Sequence, residues 1–162
     1  MSAPTPRIPY YKIAPDAMNA MLALEKYLHG SSLEPMLIHL VKLRASQING
    51  CAYCIDMHAK DLLAGGETMQ RIYGLDAWRE APYYTERERA ALEWAEAVTL
   101  INQTHAEDAA YEAARKHFNE QELVDLTWVL AAIAAWNRVA IAFRSPAGSY
   151  QPPKAPSQRV TV

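Results

Sequence analysis

Apolar residues recur at intervals of three and four along most of the chain, which is the spacing of one helix face. Between residues 16 and 29 they fall at Met18, Met21, Leu22, Leu24 and Leu28, and Gly30 is placed to end that helix. Pro35 can open a second helix, which continues through Leu37, Ile38, Leu40, Val41 and Leu43 until Asn49-Gly50 breaks the pattern. A third runs from Cys51 to Ala64 and stops at Gly65-Gly66. After a less regular stretch through Trp78 and Pro82, Thr85-Glu86-Arg87-Glu88 fits a capping box ahead of a helix through Ile101. Thr104-His105-Ala106-Glu107 and Asn119-Glu120-Gln121-Glu122 fit the same pattern, the latter predicting a helix over residues 120–143. No segment alternates as a half-buried strand does. The expectation is a single all-α domain of six or seven helices over residues 1–145. Pro146, Pro152, Pro153 and Pro156 make residues 146–162 an extended tail. That tail is expected to be either a mobile terminus or an arm on a neighbouring subunit, with Tyr150 and Val160 as anchors.

Composition narrows the function more than the fold. Sixteen basic and eighteen acidic residues leave a net charge of -2, which argues against a dedicated nucleic-acid surface. The run over residues 126–136 is too short to span a bilayer and reads as a buried helix. Met1-Ser2-Ala3-Pro4-Thr5-Pro6-Arg7 lacks an apolar export segment, so a soluble, cytoplasmic protein is expected, with reduced thiols.

The chain holds two cysteines, and both lie in Asn49-Gly50-Cys51-Ala52-Tyr53-Cys54-Ile55-Asp56-Met57-His58. On a helix beginning after Gly50, Cys54 lies about 60° and His58 about 20° from Cys51, so the three share a face. Unpaired N–H groups in the first turn favour a thiolate there. Such a thiolate can attack an electrophilic oxygen or sulfur, and its partner can close a disulfide. Two other accounts remain open on these residues alone: small buried core cysteines, or a zinc site of Cys51, Cys54, His58 and His39.

The block from Leu37 to His58 resembles the core motif of the alkylhydroperoxidase D family, within the carboxymuconolactone decarboxylase superfamily. The likeness continues in Thr85-Glu86-Arg87-Glu88-Arg89-Ala90-Ala91-Leu92 and in Ala135-Trp136-Asn137-Arg138. It implies an all-helical fold, homo-oligomers that are commonly trimers or hexamers, and reduction of hydroperoxides without a cofactor or metal. In that scheme Cys54 is peroxidatic, Cys51 resolves it, His58 joins a proton relay, and an external dithiol or protein reductant restores the pair. The alternatives are a thiol–disulfide oxidoreductase without significant peroxidase activity, or a non-enzymatic redox-sensing or zinc-binding module. One departure is plain: the family's relay glutamate stands twelve residues before the first cysteine, and here that position is His39. Neutral histidine can accept a proton near pH 7, so His39 is a candidate relay base. Glu93 or Glu96 could turn inward to replace the missing carboxylate, although a solvated helix face accounts for both. Asn137 and Arg138 interrupt an apolar run; Asn137 is expected to bond backbone in the core and Arg138 to reach the surface or a subunit contact. Trp78, Trp94, Trp128 and Trp136 are expected to be core or interface aromatics.

Overall fold

A computed structural model describes residues 5–153 and places nine α-helices among them, with no strand. Five are long: α2 (Pro15–His29), α3 (Pro35–Asn49), α4 (Ala52–Ala64), α6 (Glu86–Thr99) and α9 (Glu120–Phe143). The others are α1 (Tyr10–Ile13), α5 (Met69–Tyr73), α7 (Ile101–Thr104) and α8 (Asp108–Arg115), with a 3-10 turn at Leu75–Ala77. The excess over six or seven comes from α1, α5 and α7, which are at most five residues long and too short to show a periodic face.

Two capping boxes set the long C-terminal helices. Thr85 and Glu88 exchange side-chain and backbone bonds at the start of α6, and Asn119 and Glu122 do the same at α9. Both boxes fall where the sequence pattern puts them. The third is a correction: Thr104 ends α7, donating from its hydroxyl to the Ala97 carbonyl, and α8 starts after Glu107 with no side-chain cap. Asn119→Ala removes the acceptor for the Glu122 N–H and should cost about 1 kcal/mol of folding stability. The denaturant midpoint should then fall at an unchanged slope.

Helix α3 is the centre of the packing. Its Leu37, Ile38, Val41 and Ala45 join a core with α2, α6, α8 and α9, whereas Leu40 and Leu43 face a second core with Leu62, Leu75, Trp78 and Leu92. A helix buried on both sides presents little polar face, and six of the eight residues from Met36 to Leu43 are apolar. Each such leucine contributes about 1.5–3 kcal/mol relative to an exposed one. Helix α9 is long and apolar enough, by length and composition, to cross a membrane. Its Leu126, Val129, Leu130 and Ile133 are instead buried in the first core.

Residues beyond α9 return over the domain. Lys60 Nζ donates to the carbonyls of Gly148 and Tyr150, and the Gly148 N–H donates to Asp56 Oδ2. The described part of the tail is therefore fastened to α4 of its own chain. Val160 lies outside the described residues.

Candidate active site

The turn between α3 and α4 places the thiols. Gly50 ends α3 in the left-handed region at φ 69°, where a side chain would be strained. Its N–H donates to Gln47 O and the Cys51 N–H to Ser46 O, which closes the helix end and aims the next residue back into the core. Cys51 is thus the N-cap of α4, one position outside the first turn predicted for it, and its sulfur accepts the Cys54 backbone N–H at 3.4 Å. Cys54, His58 and Leu62 follow on the buried face of α4.

Both thiols are free and buried, with the Sγ atoms 2.6 Å apart. The two sulfurs are close enough for one thiol to donate to the other. Hydrogen bonding from the Cys54 thiol draws Cys51 down to about 7, against burial, which pushes it up. The same bond, together with burial, holds the Cys54 thiol far above its ordinary value. The N-cap position adds the backbone N–H on the Cys51 side, so the anion of the pair rests on Cys51. Cys54, not Cys51, lines the adjoining cavity. Asn137 stands beside both sulfurs, and its hydrogen bonding favours their ionised forms. It is fixed there by donating to Ser46 Oγ at 3.1 Å and accepting from Asn49 Nδ2 at 2.9 Å. Its partners are therefore side chains rather than the expected backbone.

The cavity has a volume of about 450 Å³ and lies among α2, α3, α4 and α9. Met18, Leu22, Tyr53, Met57, Trp136 and Ala140 give it an apolar wall, and Cys54, His39, His58 and Asp61 occupy one side. His39 Nδ1 and His58 Nδ1 are 3.2 Å apart, one as donor and the other as acceptor. Burial keeps His58 well below 6.5, helped by the charges of Lys42, His39 and His29. Burial also lowers His39, although Asp61 opposes it. Both rings are consequently neutral at pH 7, the form that can accept a proton. His58 Nε2 is buried without a hydrogen-bond partner among the described residues.

Two acidic groups of the cavity escaped the sequence reading. Asp61 Oδ2 is 3.7 Å from His39 Nδ1 and 3.9 Å from His58 Nδ1, and Tyr150 donates to Asp61 Oδ1 at 2.6 Å. Asp61 follows His58 by three residues on α4, so helical spacing alone could have found it. Glu25 accepts from the buried Lys42 at 2.5 Å and from Trp136 Nε1 at 2.8 Å. Nothing local marks Glu25, whose partners lie on α3 and α9. Glu93 and Glu96 do not replace the missing carboxylate. Glu96 accepts from Trp78, Arg79 and Arg44 away from the cavity, and these bonds outweigh burial to hold it below its ordinary value. Trp136 lines the cavity, Trp78 and Trp94 are buried in the two cores, and Trp128 is exposed. The four-ligand zinc arrangement is not assembled either, because His39 gathers with His58 and Asp61 rather than with the cysteines.

Residues 15–97, which carry the thiol turn and every acidic and imidazole group of the cavity, match the carboxymuconolactone decarboxylase family. The chain belongs to that family. YdfG of Bacillus subtilis, itself uncharacterised, is 46% identical over 143 residues, 88% of this chain and 97% of the relative. A solved structure from Agrobacterium tumefaciens superposes with a TM-score of 0.87 at 49% identity, covering 90% of this chain and all of the other. That protein is described as of unknown function and as a candidate antioxidant defence protein AhpD. A peroxidase-related protein from Silicibacter sp. TM1040 has a TM-score of 0.77 at 26% identity over 86% of this chain and 74% of its own. The expected all-helical alkylhydroperoxidase D-like fold is therefore observed. The matched segment stops before α9, so Trp136 and Asn137 join the site from outside it.

Proposed function

We propose that the protein is a thiol peroxidase that reduces organic hydroperoxides through Cys54 and Cys51. The observation that carries this reading is the pairing of two free thiols in contact, one of them opening on an apolar cavity beside neutral imidazoles. The antioxidant and peroxidase-related relatives point the same way. The hydroperoxide enters the cavity, and Cys51 takes the Cys54 thiol proton as Cys54 attacks the terminal oxygen. The O–O bond breaks as the neutral His58–His39 relay accepts that proton from Cys51 and passes it to the leaving alkoxide, which departs as an alcohol, and Cys54 becomes a sulfenic acid. The Cys51 thiolate then attacks the Cys54 sulfur and closes the disulfide, and the displaced hydroxide leaves as water with a proton from solvent. An external dithiol donates two electrons and two protons to restore the thiols. Burial of both sulfurs favours a slender donor that enters through the cavity over direct exchange with a folded protein surface.

Steady-state peroxide consumption with dihydrolipoamide-type and thioredoxin-type donors tests this. Turnover with either supports the reading. Disulfide exchange with a donor but no peroxide turnover replaces it with a thiol–disulfide oxidoreductase.

The protein is also proposed to work as a homo-oligomer. Tyr111, Val124 and Trp128 are exposed at 41%, 52% and 51% on neighbouring stretches of α8 and α9, a grouping suited to burial between copies. Light scattering at micromolar concentration should return a multiple of 18.1 kDa, a trimer or hexamer on the family's pattern. A monomer over a wide concentration range would remove the claim.

A further inference from the structure

His39, His58 and Asp61 have a second possible chemistry that the thiol reaction does not use. Their facing atoms form a triangle with sides of 3.2, 3.7 and 3.9 Å. A point equidistant from all three lies about 2.1 Å from each, the bond length of zinc to imidazole nitrogen or carboxylate oxygen. We infer that these three side chains form a binding site for one divalent first-row transition metal ion.

Several features make this more than coincidental spacing. The donor set of two imidazoles and one carboxylate suits zinc, iron or cobalt and lacks the thiolates that favour softer ions. The ligands stand on two packed helices, α3 and α4, so their separation is fixed by the fold rather than by a loop. Asp61 uses Oδ2 toward the histidines while Tyr150 holds Oδ1, the outer hydrogen bond that commonly orients a ligating carboxylate. All three line the cavity, which leaves coordination positions open on that side. The nearby Lys42 would repel a dication if unpaired, but Glu25 neutralises it at 2.5 Å.

Binding places the metal on the two Nδ1 lone pairs that the proposed relay uses. Metal loading and peroxide turnover therefore exclude one another, a consequence that rests on the peroxidase reading, whereas binding itself does not.

The test is titration of chelator-stripped full-length protein with cobalt(II), read by calorimetry and by visible d–d absorption. One equivalent per chain is expected, with no near-ultraviolet thiolate-to-cobalt band, and with stoichiometry kept in the Cys51→Ser, Cys54→Ser double variant. His39→Ala and Asp61→Asn should each weaken binding by more than about 100-fold, and Tyr150→Phe by about 10-fold. His39→Gln serves if His39→Ala does not fold by circular dichroism. Absence of saturable binding by the unaltered protein overturns the proposal. So does binding that survives both ligand substitutions or is lost with the cysteines. Inhibition of peroxide turnover in step with cobalt occupancy supports the exclusion, and full activity of the loaded protein refutes it. Saturable binding by a protein that never turns over peroxide leaves the metal site standing and removes the peroxidase reading.

Discussion

Cys54→Ser should reduce peroxide consumption to the uncatalysed rate, a loss on the order of 10⁴-fold or more when the nucleophile of a covalent mechanism is removed. Cys54 is the sulfur that lines the cavity, and Cys51 lies behind it. Cys51→Ser should still react once, but its Cys54 sulfenic acid has no partner and should persist long enough for trapping by a 1,3-diketone. The resting anion on Cys51 gives a further signature. Below about 7 the pair holds both protons, so the rate of the first turnover should rise with pH through about 7. In Cys51→Ser the proton acceptor is gone, and the inflection should move up toward the ordinary thiol value. Trapping of a sulfenic acid on Cys51 in the Cys54→Ser protein would reverse the two roles.

His39→Ala should slow peroxide reduction by about 10²-fold, the usual contribution of a general base. The loss follows from geometry: His39 Nδ1 meets His58 Nδ1 at 3.2 Å, and Asp61 completes the cluster. Burial keeps both imidazoles below 6.5, so protonation should disable the relay only on the acid side of that value. The rise near pH 7 then belongs to the thiols and should remain in His39→Ala. His39→Glu should keep or raise activity, because it restores a carboxylate where relatives of this family carry one. It also sets two carboxylates close together, which raises the pKa of one and lets it serve as the base. An unchanged rate in His39→Ala with a sharp gain in His39→Glu would mean that His39 is not acting as a base.

What the sequence made legible, and what it hid, follows from the range of each interaction. Capping boxes at Thr85 and Asn119 are local, and both are present as expected. The shared face of Cys51, Cys54 and His58 is also local, fixed by 100° per residue once the helix is placed. Asp61 obeys the same rule, three residues after His58 on one helix face, but lies beyond the motif, which ends at His58. Thr104 resembled a cap because its spacing to Glu107 is right, yet its hydroxyl is already committed to Ala97. The Glu25–Lys42–Trp136 cluster joins residues up to 111 apart, and the Tyr150–Asp61 bond joins residues 89 apart. Such pairs depend on how α2, α3, α9 and the tail fold together, which no periodicity encodes.

The most direct test is a single turnover in the absence of any donor. Reduced protein is mixed anaerobically with one equivalent of cumene hydroperoxide, and products are read by chromatography and peptide mass spectrometry. The account predicts one cumyl alcohol formed per chain, with Cys51 and Cys54 joined in the same chain and two hydrogens lost. Intact peroxide beside two thiols that remain titratable would contradict it.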